Sequence, residues 1–91
     1  MKIKDKTVII TGGGSGMGAA TARVLAAEGA KVALWDLNIE AAEKIAAEIK
    51  GLAVACDVVN EQSVISALET TKDSLGSPRV LVNCAGILVG Q

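Results

Sequence analysis

Thr11-Gly12-Gly13-Gly14-Ser15-Gly16-Met17-Gly18 follows directly on the apolar stretch Thr7-Val8-Ile9-Ile10. Apolar residues running into clustered glycine read as a strand that opens through a tight turn into a helix. Such an arrangement suits anion binding, because the unpaired N–H groups and positive dipole end of a helix N-terminus favour phosphate. Gly12 to Gly14 are predicted to supply backbone angles closed to residues with a β-carbon. Gly16 keeps the approach to bare N–H groups open, and Gly18, one turn into the helix, lets helix and strand backbones pack closely. Taken alone, the segment has an ordinary glycine-rich turn as its lesser alternative, because such turns are common.

Spacing narrows the choice of nucleotide. A G-x-G-x-x-G pattern started at Gly12 needs glycine where Met17 stands. A Walker-type loop needs lysine after its last glycine, and Ala19 follows Gly18, so triphosphate chemistry loses its main cation. The pattern left is T-G-x-x-x-G-x-G, from Thr11 to Gly18. Asp36 ends the next apolar run, 18 residues beyond Gly18. In a dinucleotide fold an acid there accepts hydrogen bonds from the adenosine ribose hydroxyls and repels a 2′-phosphate, selecting NAD over NADP. Its competing role is to begin the turn into the following helix.

The elements that position these residues follow from hydrophobic period. Strands are predicted at Thr7 to Thr11, Lys31 to Asp36, Leu52 to Cys56 and Val80 to Asn83, each nearly continuous in apolar residues, as strands covered on both faces must be. The first helix should run from Gly16 to Glu28, with Gly29 as its C-terminal cap. The second begins after Asn38, an N-cap residue, sets Ala42, Ile45, Ala46 and Ile49 on one face, and ends at Gly51. The third starts behind Asn60, aligns Val64, Ala67, Leu68, Thr71 and Leu75, and stops at Gly76 and Pro78. This βαβαβαβ order with right-handed crossovers predicts an α/β, Rossmann-like, doubly wound parallel sheet of strand order 3-2-1-4.

The pattern Thr11 to Gly18 resembles the cofactor loop of the short-chain dehydrogenase/reductase family. The resemblance covers essentially all 91 residues, with four motifs in order at strand ends. It implies that Gly12, Ser15, Gly16, Met17 and Gly18 hold the cofactor. Family members that use NADP often carry a base at the position of Ser15 or of Leu37, just after Asp36. Serine and leucine there again point to NAD. Asp57-Val58 then reads adenine, the carboxylate accepting from the exocyclic amine and the Val58 backbone meeting the ring nitrogens. Asn83-Cys84-Ala85-Gly86 resembles the family's N-N-A-G segment, with Cys84 replacing the second Asn, and lines the nicotinamide-side ribose. Val82 to Ile87, with Thr11-Gly12-Gly13 and Asp36-Leu37, looks most like the type II 3-hydroxyacyl-CoA dehydrogenase branch.

The family's catalytic machinery, by the same resemblance, is a Ser and a Tyr-x-x-x-Lys motif. This chain has no tyrosine. It is therefore read as the NAD-binding N-terminal portion, residues 1–91, of a single domain. The complete protein would be an oxidoreductase moving hydride between NAD and a secondary alcohol or ketone, such as a 3-hydroxyacyl-CoA. A homodimer or homotetramer is implied, and the remainder of the domain is expected to be needed for folding, because the fourth strand would otherwise leave an open edge. The alternative is a non-catalytic NAD-binding fragment or sensor. A methyltransferase half is a third reading, but such folds usually carry an acid leading into the first glycine loop, where this chain has Ile10-Thr11.

Composition argues for a soluble globular chain. Half the residues are apolar and the net charge is −1, which argues against partners recognised by basic charge, nucleic acid and membrane surfaces included. The uncharged stretch Thr7 to Ala22 is too short and glycine-rich to span a bilayer, and a cytoplasmic or organelle-matrix location is expected. Two cysteines and no histidine exclude most zinc frameworks. Strand order would put Cys56 and Cys84 roughly 14 Å apart at about 4.8 Å per strand, beyond the reach of about 7 Å that a disulfide allows. Free thiols are predicted.

Overall fold

The computed structural model describes residues 2–84. The elements are β1 (Thr7–Thr11), α1 (Gly16–Ala27), β2 (Lys31–Asp36), α2 (Ile39–Ile49), β3 (Leu52–Ala55), α3 (Glu61–Leu75) and β4 (Pro78–Asn83). All strand pairs are parallel, in the order β3-β2-β1-β4. The chain winds from β1 outward to β3, then crosses back to lay β4 on the other side of β1.

Alternation along the strands builds two cores. Val8, Ile10, Val32 and Leu34 pack with Ala22 of α1 and Ala42 and Ala46 of α2 on one face. Ile9, Ala33, Trp35 and Val54 meet Ala67 of α3 on the other. The small alanines let α1 and α2 lie close to the sheet, which the continuous apolar strands require. β4 forms one edge of the described sheet, where its residues alternate between half-buried and exposed.

Several boundaries differ from the sequence reading. α1 ends at Ala27 with Glu28 as its cap, followed by Gly29 at φ 91°. The left-handed residue that ends α2 is Lys50, at φ 59°, rather than Gly51. Gly51 is required for space, since a β-carbon there would lie 2.7 Å from the Val32 carbonyl oxygen. Pro78 does not merely stop α3. It opens β4 opposite Thr7, with a register shift before Val80, and a first strand position tolerates its missing N–H. β3 stops at Ala55, and Cys56 continues the pairing only through its N–H to the Asp36 carbonyl, 3.1 Å away. β3 and β4 occupy opposite edges and both cysteines are free. No helix among the described residues is long and apolar enough to cross a membrane.

Trp35, the one aromatic residue, is 3% exposed. Its indole N–H donates to Thr71 Oγ1 at 3.0 Å, and that hydroxyl donates to the Ala67 carbonyl at 2.8 Å. Thr71 therefore occupies an apolar face because a buried indole needs an acceptor. Replacing Thr71 by Val keeps the shape and strands the N–H, so Thr71→Val is expected to destabilise the folded protein by about 1–3 kcal/mol. Urea unfolding followed by tryptophan fluorescence measures the loss.

Candidate cofactor-binding site

Four strand ends converge at one edge of the sheet. Thr11 ends β1, Asp36 ends β2, Asn83 ends β4, and Asp57 lies just beyond β3. The crevice between β1 and β4 is where the direction of winding reverses, the place at which open α/β sheets bind ligands. Thr11 Oγ1 donates to Asn83 Oδ1 across that crevice at 2.8 Å.

The glycines of the loop have different reasons to be there. Only Gly12, at φ 69°, adopts a left-handed conformation. Gly13 and Gly14 do not supply special angles, as the sequence suggested; they are glycines because the space is full. A β-carbon on Gly13 would lie 2.6 Å from Leu34 Cδ2, and one on Gly14 2.8 Å from the Ala41 β-carbon and 2.9 Å from Asp36 Oδ2. At Gly18 it would collide with the Gly12 carbonyl oxygen, so the close approach is between α1 and the turn. At Gly16 it would meet nothing within 4 Å.

Hydrogen-bond accounting shows what the loop leaves open. Gly12 and Gly13 donate their N–H groups to the Trp35 carbonyl, and Ser15 donates to the Gly12 carbonyl. Gly14 donates to Asp36 Oδ2 at 2.9 Å, and Gly18 to Ser15 Oγ at 3.3 Å. Ser15 Oγ also donates to the Gly12 carbonyl at 2.7 Å, making Ser15 the N-cap of α1. The N–H groups of Gly16 and Met17 have no acceptor among the described residues. They lie at the positive end of α1, beside the open space over Gly16, a position whose electrostatics favour an anion.

Beside the loop is a cleft of about 250 Å³ lined by Gly12, Asp36, Leu37, Asp57, Val58 and Val59, with Trp35 and Cys56 buried beneath. This approaches the roughly 300 Å³ at which small-molecule pockets begin. Asp36 Oδ1 accepts from the Asn38 N–H at 2.9 Å, so each carboxylate oxygen is oriented by one backbone donor while keeping further acceptor capacity. The turn role and the ribose role of Asp36 are thus compatible. Leu37 and Val59 are each 73% exposed and give the cleft apolar walls. Asp57 Oδ1 accepts from the Val59 N–H at 3.1 Å, and Oδ2 has no partner among the described residues. Burial pushes the Cys56 thiol up, the Ser63 hydroxyl opposing and the Asp57 charge adding, which disfavours its thiolate.

A second space of about 230 Å³, bordered by Thr11, Val58, Val64, Leu81 and Asn83, continues toward the crevice. Cys84 turns away from both clefts. It packs on the core shared with α1 and α2, and its N–H donates to the Thr11 carbonyl at 3.0 Å. Ala85 and Gly86 lie outside the described residues.

The short chain dehydrogenase family model matches residues 6–91. The chain belongs to the short-chain dehydrogenase/reductase family. It is 44% identical over 86 residues to 3-hydroxyacyl-CoA dehydrogenase type-2 of Drosophila melanogaster, a match spanning 92% of this chain and 34% of that protein. This is the branch its motifs resemble. A 3-ketoacyl-(acyl-carrier-protein) reductase from Brucella melitensis, complexed with NADH, superimposes with a TM-score of 0.84 at 38% identity, over 87% of this chain and 34% of that one. NAD⁺-bound xylitol dehydrogenase gives a TM-score of 0.83 at 35% identity, over 89% and 33%. The chain spans about a third of the length of these family members.

Gly16 and Gly18 separate ligand space from packing space. Gly16→Ala is expected to leave thermal stability unchanged or raise it by up to about 1 kcal/mol through helix propensity, while weakening phosphate-bearing ligands. Gly18→Ala is expected to lower stability, because α1 must move off the Gly12 carbonyl. Calorimetric melting alongside ligand titration distinguishes the two.

Proposed function

We propose that this chain is the NAD-binding portion of an oxidoreductase that moves hydride between NAD and a secondary alcohol or ketone. The observation that carries the reading is the set of backbone donors left open. The N–H groups of Gly16 and Met17 at the start of α1, and that of Val58 in the cleft that Asp36 also lines, lack acceptors among the described residues.

Each part of a dinucleotide has a fitting group. The pyrophosphate would lie on the N–H groups of Gly16 and Met17, over the bare Cα of Gly16, with Gly12 and Gly18 shaping the turn and Ser15 capping it. The adenosine ribose hydroxyls would donate to Asp36, whose charge repels a 2′-phosphate; neither Ser15 nor Leu37 offers a cation to offset that repulsion. Adenine would sit between Leu37 and Val59, with Asp57 Oδ2 accepting from its amine and the Val58 N–H donating to a ring nitrogen. Asn83, held by Thr11, would border the nicotinamide-side ribose.

NAD supplies a hydride acceptor when bound, and two similar structures hold NADH or NAD⁺. This chain orients it and has no tyrosine to serve as the family's acid/base. We place that residue, the substrate pocket and the oligomer contacts in further sequence of the same protein. The name of the Drosophila relative makes a 3-hydroxyacyl-CoA the first substrate to try.

The test uses the full-length protein. NAD is expected to bind more tightly than NADP, and Asp36→Ala to narrow that preference by about 10- to 100-fold, the worth of a charged hydrogen bond. Equal affinity for the two cofactors overturns the NAD assignment. NAD binding without NADH formation from any secondary alcohol favours a non-catalytic sensor.

A further inference from the structure

The turn between β3 and α3 is closed by a ring of hydrogen bonds. The Asp57 carbonyl accepts from the Asn60 N–H at 3.0 Å, Asn60 Oδ1 accepts from the Ser63 N–H at 3.0 Å, and Ser63 Oγ accepts from the Asp57 N–H at 2.9 Å. With Val59 bonded to Asp57 Oδ1, the N–H of Val58 is the one donor of this turn without an acceptor among the described residues. The Ser63 hydroxyl thus ties the first turn of α3 back to the backbone that follows β3. Ser63 itself is half-buried and does not line the cleft.

We infer that Ser63 is a positioning residue for adenine recognition: its hydroxyl fixes the Asp57-Val58 backbone so that the Asp57 carboxylate and the Val58 N–H face the base together. This rests on the cofactor reading above. Helix capping does not account for the hydroxyl, because Asn60 already caps α3. Serine is also a slightly poorer helix former than alanine, so the first turn of α3 gains nothing from it except the bond back to Asp57. Without that bond the partly buried Asp57 N–H loses its acceptor, and the turn can rotate the carboxylate away from the donor beside it.

The experiment measures, on the full-length protein, affinity for NAD and for its analogue with hypoxanthine in place of adenine, which has a carbonyl where adenine carries the amine. The unsubstituted protein is expected to prefer NAD. Ser63→Ala should weaken NAD by about 5- to 10-fold, the worth of one neutral hydrogen bond, and largely abolish the preference over the analogue. Ser63→Thr should restore both. Thr and Val have the same shape, so Ser63→Val provides a second comparison if alanine perturbs folding: it should behave like alanine and not like threonine. Unchanged preference in Ser63→Ala, or equal behaviour of the Thr and Val variants, overturns the inference while leaving NAD binding intact. Failure of the unsubstituted protein to bind NAD overturns the cofactor reading instead.

Discussion

Gly18 sets its bare Cα against the carbonyl of Gly12, and that close approach lets α1 start directly over the end of β1. A side chain there would lift the helix, and the consequences would spread. Ser15 could no longer bridge the Gly12 carbonyl and the Gly18 N–H. Gly14 would move from Asp36, to which it donates, and Asp36 is also the acceptor that organises the entry to α2 through Asn38. One backbone contact thus connects the N-terminus of α1 to the carboxylate of Asp36 at the end of β2.

The site works by subtraction. Most backbone donors around the cleft are consumed internally, by the Trp35 carbonyl, the Ser15 hydroxyl and the Asp36 and Asp57 carboxylates. Among the described residues, those of Leu37 and Val58 in the cleft, and of Gly16 and Met17 at the start of α1, are left. A donor exposed to water costs little, whereas one presented in a formed cleft discriminates among ligands because a ligand lacking the matching acceptor leaves it unpaired. No lysine or arginine lines the cleft. The only groups there that favour an anion are helix-terminal N–H groups, and the carboxylates of Asp36 and Asp57 stand in the same cleft.

Much of this was legible in the residues. Continuous apolar strands separated by amphipathic helices fixed the layer order, and crossover handedness then led to the observed strand order. Asn38 and Asn60 cap their helices as their types suggest. The reading went astray where an explanation based on conformation competed with one based on space. Gly13 and Gly14 were credited with backbone freedom, and the structure shows each pressed against Leu34 or Ala41. Lys50 accepts the left-handed conformation in spite of its β-carbon, which propensity does not foresee. Ser63 was missed altogether, although an Asn-x-x-Ser spacing at a predicted helix start was available as a signal.

Local chemistry along the chain is enough to specify the elements, the glycine turn and the acids at strand ends, because periodicity and turn preferences act between near neighbours. Which donors stay open, which way Cys84 faces and what orients Asp36 and Asp57 depend on partners brought together by folding. Gly14 and Asp36 are 22 residues apart, and Trp35 and Thr71 are 36. A hydrogen bond or a filled space between such residues exists only once the sheet and its helices have docked, and no pattern within either segment encodes the distance between them.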